Sequence, residues 1–313
     1  MNAIVSSQNL RMPFDFEPEP SHYQQIDVEY DAEYRVAWTY MNPAGTPCFN
    51  LGLLKELRAA DGLLKTNSGR MMHDGRLNPV DYYVVASRVN KIFNLGGDLA
   101  LFMRLIQSGN REGLRRYARL CVDNMYARIC NYDLPLVTIS LVQGEALGGG
   151  FETALSSNVI IAEESARMGL PEILFNLFPG MGAYSLLARR LGMRRAEEMI
   201  MSGRIYTARE LYDMDVIDVV APNGAGEHAV YEYVRRTSKT LRGARAVYEC
   251  RRHFNPVSYE EMLNITEVWV DTALRIEDKD IKLMNRLVRS QQRFTDGADN
   301  VGKSRVPLTI ATA

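Results

Sequence analysis

The chain has 313 residues, enough to bury a sizeable core, and carries 37 basic against 38 acidic side chains, a net charge of −1. So even a balance gives no global attraction to a polyanion or an anionic membrane surface, which argues against nucleic acid as a partner. The opening MNAIVSSQNLRMPFDFEPEP lacks a basic region followed by an apolar core, and no run of about eighteen apolar residues occurs, so a soluble, cytoplasmic protein is expected.

Pro13, Pro18 and Pro20 punctuate a polar start, and residues 1–25 read as a flexible N-terminal arm. Strand-like segments follow from Ile26 to Thr39, then a helix from about Asn50 to Ala60 and a strand at Asp81 to Val89. Helices at about Asp98 to Gln107 and Arg111 to Asn131 lead to the apolar run Leu134 to Val142, whose β-branched character predicts a strand buried on both faces. A strand at Asn158 to Ala162 and a short one at Ala166 to Gly169 continue the alternation of an α/β core. Beyond Ala208, TARELYDMDVIDVV reads as a short helix and a strand. From Glu227 to about Arg293 the pattern is helical, broken at Pro256, and residues 294–313 read as a polar tail. There is no internal repeat.

Cys48, Cys121, Cys130 and Cys250 lie too far apart for a C-x-x-C pair and read as reduced thiols. His22, His73, His228 and His253 have no ligand spacing, so neither a metal nor another cofactor is expected.

The densest chemistry lies in LPLVTISLVQGEALGGGFETAL, residues 134–155. Gly148, Gly149 and Gly150 let the backbone turn with no side chain between it and a ligand, and a helix then opens with Glu152 in its first turn. Amides at such a helix start favour developing negative charge, and an adjacent carboxylate can move a proton. Two plainer explanations stand beside this one: acids favour first turns for dipole reasons, and glycines permit a close packing crossing. Phosphate binding is disfavoured, because no Gly-Lys-Ser/Thr follows and G-x-G-x-x-G spacing is absent. In ARMGLPEILFNLFPGMGAYS, Pro171 suits a first helical position with Glu172 beside it. The spacing from Glu152 leaves room for one helix, one strand and a return, so both glutamates can face one cleft.

The strings GEALGGGFE, PEILFNLFPGMG and FNLGGDLALF resemble the crotonase superfamily of enoyl-CoA hydratases and isomerases. The resemblance implies an α/β fold with a crotonase-like ββα-superhelix core at residues 26–226. A helical C-terminal region at 227–293 would cover the active site. It further implies an oxyanion hole made by the amides of Gly97, before Asp98, and Gly149, with Glu152 and Glu172 as the two acids of the hydratase branch. Because both acid positions are filled, it favours hydration or dehydration over isomerisation, decarboxylation or dehalogenation. No G-x-S-x-G nucleophile competes with this scheme.

Within the superfamily, YYVVASRVNKIFNLGGDLALFMRLI and the preceding RVAWTYMNPAG look like the bacterial synthases of diffusible signal factors, which are cis-2-unsaturated fatty acids. An ordinary hydratase reads K-x-F-x-A-G-A-D where this chain has Lys91, Phe93, Asn94, Leu95, Gly96 and Gly97, which favours the specialised branch. The resemblance spans roughly residues 26–292. It implies dehydration of a 3-hydroxyacyl-carrier-protein followed by thioester hydrolysis, a homo-oligomer (trimer or dimer of trimers), and a possible sensor kinase partner. A general enoyl-CoA hydratase is the alternative.

Two further expectations concern binding. Met262, Trp269, Leu274 and Leu287 share an apolar spacing, and Gly148, Trp269 and Leu287 are the candidate substrate-binding residues; for Trp269 ordinary helix packing is the competing explanation. Arg189, Arg190, Arg194 and Arg195, or Arg111, Arg115, Arg116 and Arg119, could meet an acidic carrier protein or coenzyme A phosphates, or be solvated faces.

Overall fold

The computed structural model describes residues 23–298. Its elements are β1 (Ile26–Asp31), β2 (Val36–Met41), α1 (Leu51–Thr66), β3 (Arg70–His73), β4 (Arg76–Pro79), β5 (Tyr82–Ser87), β6 (Ile92–Asn94), α2 (Leu99–Gln107) and α3 (Arg111–Ile129). They continue with β7 (Val137–Val142), β8 (Glu145–Leu147), α4 (Gly149–Leu155), β9 (Val159–Glu163), β10 (Arg167–Gly169), α5 (Ala183–Leu191), α6 (Met193–Ser202), β11 (Ile205–Thr207), α7 (Ala208–Asp213) and β12 (Val219–Ala221). The helices α8 (Gly226–Thr237), α9 (Leu241–Phe254), α10 (Tyr259–Ala273) and α11 (Asp278–Ala298) complete the described chain.

One unit recurs: a buried strand, a sharp corner, a short strand and a helix. The long strands form a six-stranded sheet in the order β1-β2-β5-β7-β9-β12, parallel from β2 onward, with β1 added antiparallel at the edge. The short strands form a four-stranded sheet in the order β11-β10-β8-β6, in which β6, β8 and β10 are parallel. Because β5, β7 and β9 each pass directly into β6, β8 and β10, the first sheet's order is copied into the second. Burial explains the composition, since β5 and β7 are covered along their whole length and read as continuous apolar runs. The corner after β7 needs Gly144, where a Cβ would stand 2.0 Å from the Lys91 carbonyl.

Several expectations require correction. The strand-like segments from Ile26 form a hairpin, turned at Arg35 with φ 53°, whose second strand runs on past Thr39 to Met41. Helix α1 runs past Ala60 because Leu64, one turn on, continues its buried side. The apolar run at Leu134 does not enter the glycines directly, since β7 ends at Val142 and the separate strand β8 intervenes. The ribbon of β3 and β4 and the strand β6 were not foreseen, although Asp74-Gly75, both at positive φ, is a hairpin-turn signal. The arm ends before residue 25, because the amides of Gln24 and Gln25 bind the Glu56 carboxylate on α1 at 3.0 and 2.7 Å. The helical pattern continues beyond Arg293 to Ala298, a stretch with no proline to stop it. The arm through residue 22 and the tail beyond residue 298 lie outside the described residues, as does His22. Among the described residues, no helix is long and apolar enough to cross a membrane.

Candidate active site

The parallel strands β6, β8 and β10 end on the same edge of the second sheet, and each hands its chain to a site segment. After β6 come Leu95, Gly96 and Gly97; after β8 come Gly148 and Gly149; after β10 come Leu170, Pro171 and Glu172. A ligand crevice beyond the carboxyl ends of parallel strands follows from this layout. There, a cavity of about 940 Å³, part of it open to solvent, is bordered by Gly97, Gly148, Gly149, Glu152, Glu172, Trp269 and Leu287. All seven residues singled out in the sequence thus meet at one place.

Glycine is required on both sides of the strand ends. Gly148 has φ 51° and ψ −122°, and a Cβ there would lie 2.3 Å from Glu172 Oε1. Gly96 has φ +93°, and a Cβ there would lie 3.2 Å from the Gly149 nitrogen, which shows how closely the two loops approach. Gly149 is the first residue of α4, so its amide has no intrahelical carbonyl to bind. The Gly96 carbonyl accepts from Phe49 N at 2.8 Å in an isolated parallel bridge, and in a trans peptide the next N–H, that of Gly97, points the opposite way. Among the described residues neither the Gly97 nor the Gly149 amide has a backbone acceptor. The packing explanation of the glycines also holds, for a Cβ on Gly150 would lie 2.1 Å from Asn94 O.

The two glutamates occupy unlike surroundings. Glu152 is buried in the first turn of α4, and its Oε1 accepts from Met181 N at 2.8 Å and Ala183 N at 2.9 Å. Burial pushes this carboxyl up to about 7, against the pull of those amides. Glu172 sits in a 3-10 turn (Pro171–Phe175) in place of the expected helix start; it is half-buried, and its Oε2 is covered with no hydrogen-bond partner. Burial, and then the neighbouring Glu152 charge, push it up to about 8. An acceptor oxygen left unpartnered under cover favours the protonated carboxyl, the same direction in which burial pushes it. The covered Glu172 oxygen that no donor reaches is the less suited to a charge, and Glu152, held by two backbone donors, is the readier to ionise.

Raised carboxyl pKa values also set a stability trend. Their contribution is complete below the unfolded value near 4.5 and is lost as pH rises through about 7 and then about 8. Replacing Glu172 by glutamine removes its part of that loss. The melting temperature of Glu172→Gln, relative to the unsubstituted chain, is therefore expected to rise by roughly 3–5 °C between pH 5 and pH 9. An offset that stays constant with pH would contradict the shift.

Trp269, on α10, is packed into the core and also borders the cavity. It is 3% exposed, packs edge-on against Phe102 with ring centroids 5.1 Å apart, and stands where a Cβ on Gly180 would be 2.4 Å from its Cγ, yet it also borders the cavity. Trp269→Ala is expected to lose about 3–5 kcal/mol in denaturant unfolding, and near-normal stability would remove it from the core. Leu287, on α11, is partly buried at the same rim.

Most of the clustered arginines are paired within the chain, and Arg116 and Arg194 stand on solvated faces, one of the two readings offered for them. Arg189 binds Glu261 through both terminal nitrogens at 2.8 Å and reaches Asn255 O and Pro256 O, while Arg190 donates to Val216 O and Ser157 O at 3.2 Å, so these two hold the C-terminal helices and inner turns. Arg111 and Arg115 pair with Glu267, Arg116 with Glu112, and Arg194 with Glu198. Acidic partners at helical spacing or from a neighbouring helix neutralise the charge that sequence clustering alone suggested. Cys48 and Cys121 are buried, Cys130 is partly covered and Cys250 is exposed, all as free thiols. Among the described residues, no group of three or more His, Cys, Asp or Glu side chains is placed to hold a metal ion.

Residues that the sequence did not single out also border the site. Phe49 and Met181 lie against Gly149, where a Cβ would be 3.4 Å from Phe49 Cδ2 and 3.2 Å from Met181 Sδ. Phe49 comes from the loop before α1, nearly fifty residues ahead of its bridge partner, and only that long-range pairing reveals it. Met181 was within reach, since it stands in the quoted FPGMG string beside the amides that Glu152 engages.

A family model described as enoyl-CoA hydratase/isomerase matches residues 72–259. Among curated proteins, the peroxisomal bifunctional enzyme of Cavia porcellus is 35% identical over 147 residues, which is 47% of this chain and 19% of that protein. The chain spans from about a fifth to about half the length of the curated relatives it matches. Among solved structures, DspI of Pseudomonas aeruginosa is similar with a TM-score of 0.62 at 23% identity, covering 76% of this chain and 93% of that one. An enoyl-CoA hydratase from Bacillus halodurans gives a TM-score of 0.70 at 17% identity, covering 84% and 100%. At these identities the solved structures show a shared fold.

Proposed function

Since this chain belongs to the enoyl-CoA hydratase/isomerase family, we propose that it adds or removes water across the carbons α and β to an acyl thioester. The observation that carries this reading is the pair of glutamates with raised, unequal pKa values in one cavity with two outward amides. The amides of Gly97 and Gly149 receive the thioester oxygen and hold the enolate that forms when the α proton moves. Glu152, ionised near neutrality and steadied by two backbone donors, is ready to take a proton; Glu172, protonated, is ready to give one. The pair ends a turnover with the proton exchanged and resets through solvent. Gly148, Trp269 and Leu287 shape the space for the acyl chain, so truncating Trp269 shifts the preferred chain length as well as stability.

The narrower reading is synthesis of a cis-2-unsaturated fatty acid signal. Here the pair dehydrates a 3-hydroxyacyl-carrier-protein, and the same amides then stabilise the tetrahedral intermediate as a glutamate-activated water cleaves the thioester. It is supported by the signal-synthase wording around Gly97, Glu152 and Glu172, and by an apolar cavity wall that includes Leu95, Phe102, Phe175, Leu177 and Trp269. Assembly into a trimer or dimer of trimers, and association with a sensor kinase, belong to the same reading; a kinase complex that survives replacement of both glutamates would be a role separate from catalysis. The test supplies the purified chain with a 3-hydroxyacyl-carrier-protein and identifies products by mass spectrometry. Free cis-2-unsaturated acid is expected. Rapid hydration of a short trans-2-enoyl-CoA with no free acid released would assign the chain to general fatty-acid metabolism instead.

A further inference from the structure

The bridge that aims the Gly97 amide is closed by a short, well-aligned backbone bond on one side only. Its first hydrogen bond, Phe49 N to Gly96 O, is present at 2.8 Å. A parallel bridge of this kind would be closed on the other side by Asp98 N donating to Phe49 O. In this chain that second contact is too loose to count among the well-aligned backbone hydrogen bonds, and a side-chain hydroxyl bonds both of its groups. Tyr117 reaches in from α3, its hydroxyl donating to Phe49 O at 2.5 Å and accepting from Asp98 N at 3.2 Å. The ring is 2% exposed and held edge-on by Phe102 with centroids 4.9 Å apart, so the hydroxyl has little freedom.

We infer that Tyr117 is a positioning residue for the first oxyanion donor: its hydroxyl, spliced between Phe49 O and Asp98 N, fixes the angle at which the Gly97 amide faces the thioester oxygen. The inference rests on the oxyanion role given to Gly97 above. The peptide plane before Gly97 is tied through Gly96 O to Phe49, and the plane after it is tied through Asp98 N to the hydroxyl. Asp98 is held further along, where its side chain accepts from Leu101 N at 2.9 Å and caps α2. With both flanking planes fixed, the Gly97 N–H has one direction available. Without the hydroxyl, Asp98 N and Phe49 O can close directly on each other, which draws the loop toward Phe49 and rotates the donor. Burial keeps the Tyr117 phenol far above the ordinary range and so a neutral donor throughout the working pH range.

The test compares Tyr117→Phe with the unsubstituted full chain by kinetics and by infrared difference spectra of a bound enoyl-CoA carrying 13C at the thioester carbonyl. In Tyr117→Phe, kcat should fall roughly 10- to 100-fold with KM changed by less than about threefold. The downshift of the labelled C=O stretch should be partly lost, and the pH profile, set by the glutamates, should keep its shape. Val230→Ala, a fully buried position on α8 in a core cluster that contains neither Tyr117 nor Phe49, controls for packing: its melting temperature should fall while the C=O stretch stays unchanged. An unshifted C=O stretch in Tyr117→Phe, whether kcat is retained or falls with stability, would overturn the positioning role. A carbonyl with no downshift even in the unsubstituted chain would instead reject the oxyanion reading itself, and this inference with it.

Discussion

Glu152→Gln and Glu172→Gln are each expected to lower turnover of an acyl-thioester substrate by about 10³-fold, with the double variant little worse than either. The amide is close in shape to the protonated acid but can neither accept the substrate's proton as a carboxylate nor release one. Non-additivity follows because the two groups act on one proton inventory: once either is removed, the other has no complementary partner. The two variants should differ in stability. Glutamine at Glu172 removes the charge from a covered oxygen that has no partner, whereas glutamine at Glu152 puts an amide where two backbone N–H groups require an acceptor, and only the amide oxygen can serve. Steady-state rates beside thermal unfolding check both parts. Near-normal turnover by either variant would remove that glutamate from the mechanism.

Gly148→Ala should be the most damaging single methyl in the site. Its φ of 51° with ψ −122° is closed to residues with a Cβ, and the new methyl would meet Glu172 Oε1 at 2.3 Å. Two costs therefore coincide: backbone strain of about 1–3 kcal/mol, and displacement of the proton-bearing carboxyl. Turnover should drop by at least about 10²-fold, a larger loss than strain alone would give, because Glu172 moves relative to Glu152. Gly45→Ala is the control, at φ +80° with nothing within 4 Å of the added Cβ: strained backbone, no contact with the site, and activity retained. Equal activity loss in both variants would assign the effect to backbone strain.

The site was legible in the sequence to an unusual degree because its chemistry lies in short segments at strand ends. Glycines that the backbone requires and acids at first turns are local signals, and Gly148, Gly149, Glu152 and Glu172 all carry them. The fold was legible where burial is two-sided, as at Val137–Val142, whose whole length is covered. It was not legible in β6 and β8, three-residue strands too short for any period to show. That gap hid how Gly97 and Gly149 come together, since the two loops meet only because β6 and β8 are parallel neighbours. Phe49 and Tyr117 were missed for the same kind of reason: their roles rest on contacts between segments distant in sequence, with a hydroxyl standing in for a backbone group. The arginine clusters were left with two readings in the sequence, because charge along one helix says nothing of the acids that α10 places opposite it.

Under the proposed function, this cavity moves water across the α,β bond of a thioester using Glu152 and Glu172. This is tested most directly by incubating the purified chain with a trans-2-enoyl-CoA in H₂¹⁸O and locating the label by mass spectrometry. One ¹⁸O on the β carbon, absent when both glutamates are glutamine, is the expected result; label confined to a released carboxylate, or hydration that survives the double substitution, would contradict it.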